Sequence, residues 1–387
     1  MILFESAADR LTIEYQGFLD YLASNEVKLS KSTEHIGKKD CYALNHQFNI
    51  INERYQKIGR TQDYYAVIDF FYFFSIRSGI LRFIKKKSLG LTIQRSQRYE
   101  LFSEMSAMEQ YIMMMAVWLG EYQGAMNGPY SVFGGNDLFE RMKEGKGKNV
   151  LPDVFNRTRD DFWGRYYIPE IRLFALFKLI SIEWLNENQE DKENKFRIKK
   201  LYQTQEGCLI KTLLSKHEID FWCSPDITMV LSAVKNIVGE DSNNIEEKLI
   251  QFWTHPLEKE IQTIELRIVV GSCIRNIKVG NQFTLDDLHY LIQKSVEFDM
   301  DHLYYFQIGS GTLVRKYFAP MCVDETWQTD SVILAELLLY EGMKFEYVFD
   351  FGDEWNFQIT VENILDEHTK ECEIYIVKGE APEQYRY

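Results

Sequence analysis

The spacing of the apolar residues changes near residue 250, and this change limits the folds open to the chain. Before it, apolar residues have helical density, as in the run from Tyr64 to Ile80. After it, Ile261–Val270 and Ile274–Val279 look like strands. Long strand runs interrupted by a few helices are typical of α+β domains. We therefore predict an α+β protein whose N-terminal two-thirds are mostly helical and whose C-terminal part is a sheet domain.

The length of 387 residues allows two or three domains, because single domains usually hold about 100–200 residues. Acidic, polar stretches interrupt the pattern at Asn186–Lys195 and at Gly239–Lys248. We place one boundary near 250 and an earlier one in the Gly-rich stretch Gly124–Gly135. The predicted domains are residues 1–125, 150–248 and 258–387.

The predicted order of elements in residues 1–125 is typical of a winged-helix unit, with helices, a β-hairpin and a further helix. Two strand-like runs, Leu81–Lys86 and Leu91–Gln94, predict the hairpin, and Lys87–Gly90 is its turn. A short first strand is expected at Val27–Lys31. The expected helices are Leu11–Ala23, Lys38–Ile58, Tyr64–Ile80 and Gln97–Leu119.

A looser copy of this order is predicted in residues 150–248. Glu170–Leu185 is expected to be a helix, Lys195–Tyr202 a strand and Glu206–Lys216 a second helix. The chain is therefore predicted to carry two winged-helix-like modules in tandem.

Two helices are expected among the strands of the C-terminal domain. Thr284 fits an N-cap with Asp287 three residues on, which predicts a helix to about Val296. A second helix is expected at Ser331–Tyr340. The expected strands are Ile261–Val270, Ile274–Val279, Leu303–Ile308, Phe345–Phe349, Trp355–Val361 and Glu373–Val377.

The six cysteines show no Cys-x-x-Cys or Cys/His spacing of a zinc site. The first residues lack the basic and apolar regions of a signal peptide, and apolar runs such as Met113–Leu119 are too short to span a bilayer. We therefore expect a cytoplasmic protein with reduced thiols, no membrane contact and no cofactor.

The net charge of −14 is unevenly spread along the chain. Residues 1–100 carry 15 Lys and Arg against 11 Asp and Glu, whereas residues 251–387 carry 11 against 24. A basic wing can neutralise DNA phosphates, although a solvated hairpin with ordinary lysines is the alternative. The candidate nucleic-acid-binding residues, which flank the predicted hairpin, are Arg82, Lys85, Lys86, Lys87 and Arg95.

The segment Phe345–Ile364 carries a Tyr-x-x-Asp-Phe-Gly-Asp-x-Trp motif, from Tyr347 to Trp355. It resembles the core of the plasmid pRiA4b ORF-3-like family, also described as insertion-element passenger TnpR-like. Further pieces that resemble the family, over about residues 258–387, are Leu285–His289, Asp301–Leu303 and Lys378–Tyr385. The resemblance implies an α+β domain that occurs with plasmids and mobile elements, and it implies no particular activity.

Two positions depart from the family pattern. Phe357 stands where the family often has a histidine, and Ser272–Arg275 stands where it has a Trp-Arg-Arg strand. No role that depends on those groups carries over to this chain.

Asp350 and Asp353 flank Gly352, and such a carboxylate pair can hold a divalent cation or serve as acid and base. The alternative is a turn in which Gly352 supplies a special backbone angle and the carboxylates accept backbone N–H groups. His289 and His302 would complete a metal or acid–base cluster if folding brought them to these carboxylates. The alternative is a hydrogen-bonded core residue, as is usual for a histidine on an apolar helix. Of the two, His302 with Asp301 is the one that we expect to face a pocket.

Trp355, Tyr347 and Phe357 follow the strand period and are expected to fill one face of a sheet. The alternative is an aromatic platform for a ligand. The candidate site of the C-terminal domain is His289, His302, Asp350, Asp353 and Trp355.

Three functions follow from these patterns. The leading hypothesis is a non-enzymatic binding protein that contacts DNA, with base readout by a recognition helix at Lys38–Tyr55. The second is a metal-assisted hydrolase that uses the His/Asp cluster. The third is an adaptor that binds a protein partner through its acidic C-terminal domain.

Overall fold

The chain forms mixed helix and sheet in two compact units. The first unit spans residues 1–82 and 92–255, and the second spans residues 83–91 and 256–387. The computed structural model describes residues 3–49, 58–122, 171–184, 198–219, 226–254, 262–323, 325, 327–367, 369 and 372–385. The division into three domains stays a prediction.

Helices dominate the described residues before residue 255. They are α1 (Glu5–Ser24), α2 (Lys38–Gln47), α3 (Ala66–Arg77), α4 (Arg98–Ser103), α5 (Ala107–Val117), α6 (Gln205–Lys216), α7 (Ile227–Val234) and α8 (Ser242–Thr254). Two two-stranded sheets interrupt them, namely β1 (Leu81–Lys86) with β2 (Gly90–Arg95) and β3 (Ile180–Trp184) with β4 (Ile198–Gln203). The predicted hairpin and the predicted helix at Glu206–Lys216 are thereby confirmed.

Helix α3 lies in the core of the first unit, because its residues from Ala66 to Ile76 are all buried. A helix that is apolar on nearly every side is stable only when other elements surround it. Its buried carboxylate, on Asp69, accepts hydrogen bonds from Gln62 Nε2 (2.7 Å) and Tyr122 Oη (2.8 Å). The one acidic side chain of this helix is therefore satisfied inside the core.

The single helix predicted over Gln97–Leu119 is wrong, because the chain breaks between α4 and α5. Ser106 Oγ accepts from the N–H of Glu109 (3.3 Å), and the Glu109 carboxylate accepts from the N–H of Ser106 (2.7 Å). This capping box starts a new helix where the apolar spacing alone predicted continuity.

The helix predicted over Glu170–Leu185 is wrong in its second half. Residues 171–176 are helical, but Lys178 has a φ of 56° and β3 begins two residues later. A left-handed residue ends a helix. The β-branched Ile180 and Ile182 then pair with β4.

The winged-helix arrangement is not shown by the described residues. The strand predicted at Val27–Lys31 amounts to one bridge between Leu29 and Ile36. The helix predicted over Lys38–Ile58 ends at Gln47, and residues 50–57 lie outside the described ones. The predicted Gly-rich break at Gly124–Gly135 and the start of the predicted strand at Lys195 also lie outside them.

The second unit is built on a seven-stranded sheet in the order β11-β6-β5-β10-β9-β7-β8. Every pair of neighbours in it is antiparallel. Its strands are β5 (Thr263–Val270), β6 (Cys273–Gly280), β7 (Tyr304–Ile308), β8 (Arg315–Phe318), β9 (Lys344–Phe349), β10 (Trp355–Leu365) and β11 (Glu373–Lys378). The strands predicted for this region are thereby confirmed.

One face of this sheet packs against helix α9 (Leu285–Val296). Leu288 and Ile292 of the helix share a core with Phe357 and Ile359 of β10. Residues on the strands alternate between buried and solvated, as expected for an antiparallel sheet with one covered face. The core face and the outer face of the sheet are therefore chemically distinct.

The predicted start of α9 is confirmed. Thr284 Oγ1 accepts from the N–H of Asp287 (3.0 Å), and the Asp287 carboxylate accepts from the N–H of Thr284 (2.8 Å). The helix ends at Glu297, which is left-handed with a φ of 58°. Both ends of α9 are thus set locally.

The helix predicted at Ser331–Tyr340 is wrong. Only short 3-10 turns occur there, at Thr329–Ser331 and Leu334–Glu336. The backbone between them bonds to a distant segment instead, since the carbonyl of Val332 accepts from Leu285 (3.1 Å). The N–H of Leu334 likewise donates to Phe283 (2.9 Å). Val332 and Ile333 are extended between the two turns, so a helix cannot run through this segment.

None of the described helices is long and apolar enough to cross a membrane. The described cysteines, Cys41, Cys208, Cys273, Cys322 and Cys372, are all free thiols.

Two glycines give a matched test of helix packing in the first unit. A Cβ added at Gly207 of α6 would lie 2.1 Å from the Leu179 carbonyl oxygen, whereas one added at Gly17 of α1 meets nothing within 4 Å. We expect Gly207→Ala to lower the free energy of unfolding by about 1–3 kcal/mol, because the backbones must separate. Gly17→Ala should raise it by up to about 1 kcal/mol. Urea unfolding measures both, and effects of the same sign would contradict this packing.

Candidate functional site

The turn between β9 and β10 carries the Asp-Phe-Gly-Asp motif. Oδ1 of Asp350 accepts from the N–H groups of Gly352 (2.8 Å) and Asp353 (3.4 Å). The left-handed positions are Asp350 (φ 59°) and Glu354 (φ 50°), so the prediction of a special angle at Gly352 is wrong. A side chain at position 352 would crowd the Asp350 carboxylate, because a Cβ there would lie 3.2 Å from Asp350 Oδ1. The Asp350 carboxylate therefore builds the turn.

The second oxygen of the Asp350 carboxylate faces His302. His302 Nε2 lies 3.5 Å from Asp350 Oδ2 and 3.5 Å from Asp301 Oδ1, and its side chain is partly exposed. These distances are longer than those of ordinary hydrogen bonds. The fold thus brings together His302 and Asp350 of the candidate site and adds Asp301.

The C-terminal segment completes this group. Tyr385 Oη donates to Asp301 Oδ2 (2.7 Å), and Gln384 Nε2 donates to Asp301 Oδ1 (3.3 Å). The hydrogen bond from Tyr385 holds the pKa of Asp301 below its usual value. The polar group around His302 therefore ties together three segments, which lie before β7, after β9 and after β11.

His289 lies elsewhere, in the core between α9 and the sheet, and is 4% exposed. Its Nδ1 is 2.6 Å from Tyr347 Oη, and its ring stacks on Tyr304 with centroids 3.7 Å apart. Gln293 Nε2 donates to the same hydroxyl (2.5 Å), so the hydroxyl proton is available to a neutral imidazole. Burial lowers the pKa of His289 to about 4. His289 is therefore a hydrogen-bonded core residue, which was the alternative to a place in a metal or acid–base cluster.

The aromatic residues of the motif pack as a core. Tyr347 and Phe357 are opposite each other in the β9–β10 register, with ring centroids 5.2 Å apart, and both are fully buried. Trp355 is half-buried, and its ring lies 5.1 Å from Phe298. Asp353 is exposed at the tip of the turn. The geometry therefore favours packing over a ligand platform for these rings.

Within the part of the chain that the structure describes, no group of three or more His, Cys, Asp or Glu side chains is arranged to hold a metal ion. The His302–Asp350 contact is the part of the predicted cluster that forms. Sequence reasoning missed Gln384 and Tyr385, which lie more than 80 positions from Asp301. No local pattern connects residues so far apart in the chain.

The basic residues at the hairpin fall into two groups. Nε and Nη2 of Arg82 lie 2.9 and 2.8 Å from the Gln94 side-chain oxygen when that amide is oriented to accept. Arg95 Nη2 lies 2.7 Å from Asp20 Oδ1, and its guanidinium lies 4.1 Å from the Tyr99 ring centre. Lys85, Lys86 and Lys87 are exposed, with no ion pair or hydrogen bond of their side chains to any described residue.

The second unit is thus an α+β domain with an antiparallel seven-stranded sheet, one covering helix and a His–Asp group at one end of its strands. Residues 261–384 match the model of the family described as plasmid pRiA4b ORF-3-like protein. The resemblance is therefore confirmed for the C-terminal third of the chain.

One solved structure similar to this chain is the crystal structure of a protein of unknown function from Methanosarcina mazei Go1. The two share 21% identity over 32% of this chain and 72% of that chain, with a TM-score of 0.28. No curated protein matches the chain.

The buried His289 predicts a pH dependence of stability. Its pKa is about 4 when folded and about 6.5 when unfolded, so the unfolded state binds the proton first as the pH falls. Stability that is fully present above pH 6.5 is therefore lost towards pH 4, by about 3 kcal/mol. In His289→Gln the loss over this pH window should be smaller by a similar amount. Urea unfolding at several pH values measures it, and equal losses in both proteins would show that His289 titrates normally.

Proposed function

We propose that this chain is a non-enzymatic binding protein that contacts duplex DNA through the hairpin lysines Lys85, Lys86 and Lys87. The observation that supports it is their exposure without a described ionic partner. Neutralising DNA phosphates releases condensed counterions, which favours binding by such free cations. A link to mobile elements remains a prediction from the family resemblance.

The hairpin presents these lysines from an anchored tip. Residues 83–91 belong to the second unit, where the ring of Phe83 lies 5.2 Å from that of Tyr340. Phe83 thereby holds β1 against this unit. The ammonium of Lys85 lies beside Gly342, since a Cβ added there would be 3.5 Å from it, while Lys86 and Lys87 are exposed in the turn region. An anchored tip loses little conformational entropy when it meets a partner.

The two arginines of the predicted set have a different role. Arg95 is bound to Asp20 and stacked on Tyr99, and Arg82 is held by Gln94. Side chains that already have partners must exchange them to reach a phosphate. We therefore assign phosphate contact to the three lysines and the rigidity of the hairpin to the two arginines.

The charge of the remaining chain sets the expected strength of this contact. Residues 251–387 carry 24 Asp and Glu against 11 Lys and Arg, which repels a polyanion. Three phosphate contacts against this background give weak binding with a strong dependence on salt.

Replacing the three lysines by alanine tests the proposal. The slope of log K against log salt is negative, and each lost phosphate contact reduces its magnitude by about 0.9, so the magnitude should fall by about 2.7 in Lys85→Ala/Lys86→Ala/Lys87→Ala. Fluorescence anisotropy with a labelled DNA duplex, at several salt concentrations, measures the slope for the full chain.

The matched control removes the same charge elsewhere. Lys28, Lys31 and Lys216 are also exposed, so their triple alanine variant has the same net charge. It should keep the wild-type slope. Equal slopes in the two variants would mean that net charge, and not the hairpin, determines the salt dependence. If the wild-type chain does not bind duplex DNA, the proposal is wrong.

Metal-assisted hydrolysis stays a prediction without a favouring observation. Of its four expected groups, His302 and Asp350 meet, while His289 lies in the core. Asp350 is already used by the turn through its other oxygen. We therefore place the binding function first.

A further inference from the structure

A row of apolar side chains crosses the outer face of the sheet, on the side away from α9. Tyr305 of β7 is opposite Phe318 of β8 and opposite Val348 of β9. The ring of Phe351, in the turn after β9, lies 5.7 Å from that of Tyr305. Leu303, two residues before Tyr305 and thus on the same face, lies beside this turn, because its carbonyl accepts from the N–H of Asp350 (2.9 Å). We call these five residues the turn-side patch.

The turn-side patch lies on a face that holds both polar and apolar side chains, among them Glu265, Arg267, Val269 and Ile274. Tyr304 and Phe306, the neighbours of Tyr305 along β7, are the ones that enter the core. Phe351 keeps 44% and Leu303 38% of their surface exposed. Tyr305 and Phe318 are half-buried and Val348 is buried, so Phe351 and Leu303 supply most of the apolar surface that stays open to a partner. Exposed apolar surface of this kind marks interaction sites.

Further exposed apolar residues lie in the loops at the same end of the strands. Met321 is 82% exposed and Val323 77% exposed in the segment after β8. That segment is held at the start of β7, because the N–H of Ala319 donates to the Tyr304 carbonyl (2.9 Å). Met300 precedes β7 and is 47% exposed. Methionine adapts to irregular partner surfaces.

The rim of the patch is acidic. Asp299 and Asp301 precede β7, and Asp350, Asp353 and Glu354 lie in the turn after β9, so these carboxylates are at the same end of the sheet. Asp353 and Glu354 are exposed beside Phe351. Lys316 bounds the opposite side of the patch, with its ammonium 4.4 Å from the centre of the Tyr305 ring. The electrostatic potential at the turn is therefore negative, and the surface between the turn and Lys316 is apolar.

We propose that the turn-side patch docks a cationic segment of a partner protein that alternates basic and large apolar side chains. The apolar side chains cover Phe351 and Tyr305, and the basic ones meet Asp353 and Glu354. Charge complementarity of this kind selects the partner and speeds its association. A second copy of this chain would bring two acidic rims together, and a nucleic acid would bring phosphates to them, so both are disfavoured by repulsion.

The test uses the full chain and short labelled peptides in fluorescence anisotropy. The probe is a peptide in which Lys and Leu alternate, and its companions alternate Lys with Gly and Glu with Leu. Wild-type protein should bind the first at least about tenfold more tightly than either companion, because only that probe supplies both charge and apolar surface. Equal binding of the Lys/Leu and Lys/Gly peptides would mean that charge alone causes the binding, and it would overturn the docking proposal.

Variants locate the contact. Phe351→Ser should weaken binding of the Lys/Leu peptide by about tenfold, and Met321→Ser, at a side chain too exposed to affect folding, by about threefold. Asp353→Asn with Glu354→Gln should remove most of the salt dependence. Tyr290→Ser is the matched control, because Tyr290 is 51% exposed on α9 and lies away from the patch. It should bind as the wild type does.

Two results would overturn the proposal. One is undiminished peptide binding in both Phe351→Ser and Met321→Ser. The other is self-association of the wild-type chain in sedimentation that is lost in Phe351→Ser, which would make a second copy the occupant. Neither result bears on the lysine hairpin, so the DNA proposal stands or falls separately.

Discussion

The buried hydroxyl of Tyr347 fixes how α9 sits on the sheet, and the core of the second unit depends on it. His289 and Gln293 are four residues apart, so both lie on one face of the helix and reach the same oxygen. A buried hydroxyl without partners would cost about 1–3 kcal/mol. Any slip of α9 by one residue would break both bonds, so this contact specifies the register of helix on sheet as well as adding stability.

The sequence was sufficient where structure is decided locally. The strands of the second unit follow the alternation that a sheet covered on one face requires, and α9 starts at the capping box of Thr284 and Asp287. The predictions at Ser331–Tyr340 and in the second half of Glu170–Leu185 were wrong for a different reason. In both places the backbone bonds to distant segments, the strand β4 and residues 283–285, and apolar spacing carries no information about those partners.

The candidate site likewise has a local part, which the sequence predicted, and a long-range part, which it did not. The motif around Gly352 correctly predicted a turn in which Asp350 accepts backbone N–H groups, because that role is local. The contact of Asp350 with His302 and the bond from Tyr385 to Asp301 depend on the antiparallel pairing of β7 with β9 and on the course of the C-terminal segment. Such convergence follows from topology, which a single sequence specifies only weakly.

The acidic residues at the turn connect the site to the surface beside it. Asp350 is held by backbone N–H groups and faces His302, whereas Asp353 and Glu354 are exposed. Crowded exposed carboxylates repel one another, and a bound cationic segment would relieve that repulsion. A ligand that binds only the folded state also stabilises it by mass action. Occupation of the turn-side patch would therefore reinforce the turn that displays Phe351, because the docking residues and the turn-building residues follow one another in the chain.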